Sequence, residues 1–235
     1  MLGRLPSKID PRTLRLASYL TPELPPPPTA IHWETKVSDW GVMGNERYGN
    51  CVIVTAAHMI LSFRANELDD TRRFSDQAVI ELSQDMGALN GYNILERLKY
   101  WRTRGMWSDK ITAFASVDPK EPKLMRSAIH LFGSADIGLN MPAAWRDEKV
   151  WSVGIGRKYR PNTWGGHSVP LVGYDDQHVY AVTWGAIQPI TWPALFAYCD
   201  EAYAVIDPNW TALDGVAPSG VDLTGLQRDL QALTQ

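Results

Sequence analysis

Apolar residues crowd one stretch of this chain. Residues 52–63 read Val-Ile-Val-Thr-Ala-Ala-His-Met-Ile-Leu-Ser-Phe, apolar on nearly every helical face. A helix of that kind is a buried one. The polar turn Tyr48-Gly49-Asn50 precedes it, so the pattern predicts that Cys51 opens the helix, with Asn50 as its N-cap. Further on, Ser75 reads as the N-cap of a short helix over residues 77–82. Ile94, Leu95, Leu98 and Trp101 mark one face of a helix within residues 92–104, stopped by Gly105. The first half is therefore predicted to be helical.

The pattern then changes. Residues 123–132 make one more helix, and 135–140 read as a strand. Residues 142–161 are irregular. Residues 167–174 and 179–184 are two strands around the turn Asp175-Asp176-Gln177, a β-hairpin. A short helix over 191–198, a strand over 201–206 and an amphipathic tail helix over 222–233 follow. Ahead of all this, residues 1–30 form a proline-rich arm, with Pro25 to Pro28 held extended. The resulting division is an arm over 1–30, a helical lobe over 31–112, a β lobe over 113–210 and a tail over 211–235.

The 235 residues, 45% of them hydrophobic, suffice for one large domain or two closely packed lobes. A net charge of -3 gives no nucleic-acid footprint. Two distant cysteines, Cys51 and Cys199, exclude a disulfide framework and a cysteine-rich zinc site and leave one long-range disulfide formally open. His32, His130 and His178 lack metal-ligand spacing, so neither metal nor cofactor is expected. No apolar stretch reaches the length of a bilayer span, and the N-terminus lacks the apolar core of a signal peptide. The expectation is a protein that is cytoplasmic when made.

A thiol at a helix N-terminus meets the helix dipole and free N–H groups, which favour the thiolate. Cys51 is therefore a candidate nucleophile; the plain alternative is an inert core cysteine, as for Cys199. A helical half headed by cysteine and a β half carrying histidine in G-G-H-S-V-P-L-V-G-Y resemble the papain-like cysteine peptidases. I-H-W-E-T-K-V-S-D-W is similar to that family's mature N-terminal segment. The Ser75-Asp76-Gln77-Ala78 helix, the G-Y-N-I-L-E-R-L-K-Y-W-R-T-R-G-M segment and V-T-W-G also have family counterparts. The resemblance covers residues 31–206. It implies an α+β papain-like fold, a helical lobe packed on a β-barrel-like lobe. It also implies Cys51 as nucleophile, His167 as general base and acid, and Asn45 at the oxyanion-hole position held by glutamine in the family. The implied reaction is hydrolysis of an amide through a thioester, by a peptidase acting on a peptide or protein substrate or by another amide hydrolase.

The chain also departs from the family. The asparagine that orients the imidazole aligns with Val182, and the nearest polar residue is Thr183. Strand neighbours face opposite sides, so only one of the two can meet His167, and Thr183 is the expected partner. Only about 30 residues precede the matching segment, against a long inhibitory pro-region in family zymogens. A second reading is therefore a papain-like structural module with little or no turnover, for example a bacteriophage virion component. In that reading the arm and the tail helix grip an assembly partner. The arm is expected to pack away from the cleft, near the tail helix, with its apolar residues buried.

Overall fold

The computed structural model describes residues 1–208 and 220–232. Helix α1 (Cys51–Leu68) is buried continuously from Cys51 to Phe63, as its all-round apolar sequence requires. Around it lie α2 (Asp76–Asp85) and α3 (Ile94–Thr103). Ser75 caps α2 by accepting from the Ala78 N–H, and Asn93 caps α3 by accepting from the Glu96 N–H. Asn50 corrects the expectation for α1. Its side chain makes no cap; the amide donates to Met43 O (3.2 Å) and Ser83 Oγ (3.4 Å) instead. Those buried acceptors in the preceding loop and in α2 hold the side chain away from the helix start.

The rest of the described chain is built on one antiparallel sheet. Its strands are β1 (Ile31–His32), β2 (Ala113–Ser116), β3 (Ala135–Met141), β4 (Gly165–Tyr174), β5 (His178–Thr183), β6 (Ala186–Thr191) and β7 (Cys199–Ile206). They run in the order β2-β7-β3-β4-β5-β6, with β1 paired to β4. Among the described residues the sheet does not close, so the barrel-like lobe is an open sheet. Pro189 sits in β6, where the missing N–H costs least because β6 is an edge. That edge is covered by Trp151, which donates to Pro189 O and accepts from the Thr191 N–H. Helices α4 (Pro122–Phe132), α5 (Trp192–Tyr198) and α6 (Leu223–Ala232) complete the fold. Leu233, at the end of the expected tail helix, lies outside the described residues.

Helix α1 lies against β4, and that contact joins the helical half to the sheet. It is polar at its centre. Ser168 Oγ donates to Thr55 Oγ1 of α1 (3.0 Å) and lies 3.4 Å from Asp136 Oδ1 of β3. Asp136 in turn is ion-paired with Arg97 of α3, both side chains fully buried. A buried pair of this kind gains stability only when its remaining atoms are bonded, but it fixes relative placement strongly. Here it ties α1, α3, β3 and β4 together one residue from His167.

Candidate active site

Cys51 is the first residue of α1 and His167 the third of β4, so the α1–β4 contact carries one toward the other. Both are about 1% exposed. Together with Asn45, Thr55, His58, Ser168, Val182, Thr183 and Trp184 they line one cavity of about 10 Å³, room for roughly one water.

The imidazole is held from two sides. Nε2 lies 2.8 Å from Thr183 Oγ1, and the indole of Trp184 stacks on the ring with centroids 4.8 Å apart and planes at 14°. Nδ1 is buried without a hydrogen-bond partner among the described residues. Thr183 and Trp184 are placed by a two-residue hairpin turn. Trp184 and Gly185 both have positive φ (46° and 79°), and Thr183 pairs with Ala186 across the turn. That is the type I′ geometry whose twist suits a hairpin. Val182 packs with Val37, Trp40, Leu61, Ala65 and Val172. Asp175 is occupied by the hairpin itself, accepting from the backbone N–H groups of Gln177 and His178 and from the Tyr180 hydroxyl.

The arm overturns one expectation. Its first residues lie in the cleft, over the thiol, rather than packing away from it. The backbone N–H groups of Gly3 and Ser168 act on the Cys51 sulfur, each favouring its thiolate. Arg4 N–H donates to Gly166 O (3.0 Å), Tyr92 N–H to Gly3 O (2.9 Å) and Leu5 N–H to Tyr92 O (2.9 Å). The Met1 ammonium donates to Asn45 O, and Asn45 Nδ2 donates back to Met1 O (3.0 Å). The physical reason is glycine: a Cβ on Gly3 would collide with the Gly49 carbonyl, so only a bare backbone passes this close. The remainder of the arm agrees better with the sequence. Leu16 and Tyr19 are buried, Tyr19 Oη donates to Asp229 of α6 (2.9 Å), and Thr21 N–H donates to Gly220 O (2.9 Å). Ile9, 94% exposed, and Leu5, 47% exposed, do not bury as expected.

Enclosure sets the electrostatics. Burial pushes the Cys51 thiol up, against the two N–H groups that favour its thiolate. Burial first, then the Met1 ammonium and the Arg4 guanidinium, push His167 down to about 3. The depressed thiol expected from the helix terminus is therefore corrected for this closed arrangement: desolvation outweighs the dipole. Both groups are neutral here.

No family model and no curated protein matches the sequence. Solved structures do match. Xylellain, a cysteine protease from Xylella fastidiosa, superposes with a TM-score of 0.64 at 14% identity, over 88% of this chain and 96% of that one. A cysteine protease from Carica candamarcensis gives 0.56 at 14% identity, over 77% and 99%. Digestive procathepsin L 3 from Tenebrio molitor gives 0.59 at 12% identity, over 85% and 75%. This chain has the papain-like fold.

Within that fold some site neighbours escape sequence reading. Thr55, Arg97, Asp136 and Ser168 form the buried network behind the histidine. A signal existed for Arg97, a charged residue on the apolar face of Ile94, Leu98 and Trp101, which demands a buried partner. Asn140, Asp200 and Glu201, which hold the arm's Arg4, carried no such signal, because they lie on two strands far apart in sequence.

Proposed function

We propose that this papain-like chain is a cysteine peptidase or related amide hydrolase, latent while its first six residues occupy the cleft. The observation that carries the proposal is the histidine: one ring nitrogen is fixed by Thr183, the other is idle, and both Cys51 and Asn45 line the same cavity. With the arm withdrawn, water enters and both pKa shifts relax toward their ordinary values. The Cys51 proton then passes to His167 Nδ1, and the thiolate attacks the carbonyl carbon of a peptide bond. The oxyanion is stabilised by the Asn45 amide and the N–H groups at the start of α1. In the closed form the Met1 carbonyl already accepts from Asn45 Nδ2, the contact such an oxygen would need. His167 returns the proton to the leaving amine, and water hydrolyses the thioester.

The plugged cleft is also the one observation that favours the second reading, a structural module without turnover. Removal of residues 1–6 separates the two. The peptidase reading expects iodoacetamide to reach Cys51 at least about a hundredfold faster than in the intact chain, as buried sites do once local closure is lost. Hydrolysis of a mixed peptide library should appear with it and vanish in Cys51→Ser. A folded, alkylatable but hydrolytically silent truncated chain would favour the module.

A further inference from the structure

One side chain of the arm is bound more elaborately than closing a cleft requires. Arg4 is almost wholly buried, its side chain 1% exposed. Its Nη1 lies 2.6 Å from Glu201 Oε1 and 2.8 Å from Asp200 Oδ1. Its Nη2 reaches Asn140 Oδ1 at 3.0 Å and Asp200 Oδ2 at 3.2 Å. Glu201 is itself 7% exposed and is steadied by Tyr203 Oη, 3.2 Å from its Oε2. The floor is Gly138 of β3, where an added Cβ would come within 2.7 Å of both Arg4 Nη1 and Glu201 Cγ. Two carboxylates and an amide oxygen thus converge on the two terminal nitrogens of one planar fork, over a space that a methyl group would fill.

The pocket stands beside the chemistry. The Arg4 N–H is bonded to the carbonyl of Gly166, the residue before His167, and the N–H of its neighbour Gly3 acts on the Cys51 sulfur. A peptide reacting at Cys51 therefore sets a side chain one or two residues from its scissile bond into the same place. With a neutral side chain seated there instead, Glu201 would stay buried without its counter-charge, an arrangement far costlier than the paired one.

We propose that Gly138, Asn140, Asp200 and Glu201 form a specificity pocket for a guanidinium side chain, that Arg4 is its tethered occupant, and that the released site prefers peptides carrying arginine close to the scissile bond. The preference rests on the peptidase reading above; the pocket does not. Arginine is favoured over lysine because the acceptors are spread over two nitrogens, which a single ammonium cannot serve together.

The test uses the full chain and reads alkylation of Cys51, which needs no turnover. Arg4→Lys should speed labelling about tenfold, and Arg4→Gln and Arg4→Leu about a hundredfold, since neither neutral residue pairs the buried Glu201 carboxylate. In Arg4→Ala, millimolar propylguanidinium should slow labelling again while propylurea, its neutral counterpart, should not. Glu201→Gln added to that variant should abolish the rescue. Leucine holding the cleft shut as well as arginine would overturn the pocket, as would equal rescue by the urea. If Arg4→Leu or Arg4→Ala does not fold, the Lys and Gln variants decide alone: equal labelling of both overturns the proposal. Finally, the Arg4→Gln chain should cleave arginine peptides in preference to their citrulline counterparts. Cleavage without preference counts against the pocket's role in specificity. Guanidinium rescue without any cleavage supports the pocket and counts against the peptidase reading only.

Discussion

Two histidines are sealed inside this protein, each about 1% exposed, and both line the same small cavity. Burial pushes both down, His58 to about 4 and His167 to about 3. They differ in what surrounds them. His58 Nε2 lies 3.0 Å from the backbone carbonyls of both Trp40 and Gly41, and the Trp40 indole meets the ring edge-on. Through those carbonyls His58 clasps the chain at Trp40 and Gly41, ahead of the cleft, to α1. Among the described residues His167 has one side-chain partner on one nitrogen, nothing on the other and an indole stacked flat over its face. Burial and pKa thus fail to distinguish the two rings, whereas the distribution of partners does. A ring bonded to fixed backbone carbonyls is part of the framework; a ring oriented at one nitrogen and idle at the other is, on the peptidase reading, the one placed to exchange a proton once the arm leaves.

The strongest way to break this comparison is to remove each ring in the chain freed of residues 1–6. His167→Ala should lower kcat by at least about a thousandfold, within the range for loss of a general acid–base group. His58→Ala should leave kcat within about threefold but destabilise the fold by about 2–4 kcal/mol, through a cavity and orphaned carbonyls. Steady-state kinetics and urea unfolding read the two effects. Equal kinetic losses would erase the distinction.

A pH series sharpens it further. A histidine near 6.5 unfolded and about 4 folded binds its proton in the unfolded state first. Its effect is therefore to destabilise the fold as pH falls from 6.5 toward 4, with no penalty above that window. For His58 the span corresponds to about 3 kcal/mol. Glu67, pushed up to about 8 mainly by burial, acts in the opposite sense, favouring the fold as pH falls between 8 and its ordinary value. The quantity to follow is thus the difference between the intact chain and His58→Ala in urea unfolding from pH 7 to 4. It should narrow as pH falls, because the variant lacks the ring whose protonation penalises the folded state. A constant difference would contradict the neutral, buried assignment.

The smallest expected effect concerns orientation. Thr183→Val keeps the shape of β5 but removes the hydroxyl beside His167 Nε2. In the arm-free chain kcat should fall about tenfold, the cost of one lost orienting hydrogen bond of ordinary strength. The fold should survive, and Val182→Ala should instead act on stability, since Val182 belongs to an apolar cluster. Unchanged turnover in Thr183→Val would remove threonine from its proposed role.

Much of this protein is written locally in its sequence. The all-round apolar run specifies α1 as a buried helix, the Ser75 cap starts α2, and the two apolar runs around Asp175 specify the β4–β5 hairpin. Each depends on residues within a few positions of one another, where backbone periodicity and turn chemistry suffice. The order and spacing of Cys51, His167 and the Thr183-Trp184-Gly185 turn also sit in the sequence, enough to suggest the fold. Strands β2 and β6 do not stand out: one is four residues long, the other contains Pro189, and each is an edge defined by its neighbour. Tertiary structure alone sent the arm into the cleft, because nothing local in residues 1–6 names Gly49, Tyr92 and Gly166 as its partners. It alone turned Asn50 away from the α1 cap and built the Arg4 pocket from residues 138, 140, 200 and 201. The enclosure that makes the Cys51 thiol and His167 neutral is likewise tertiary. Periodicity tells each side chain which face of its own element it occupies; which faces meet, and how much water they exclude, is settled only when distant segments pack.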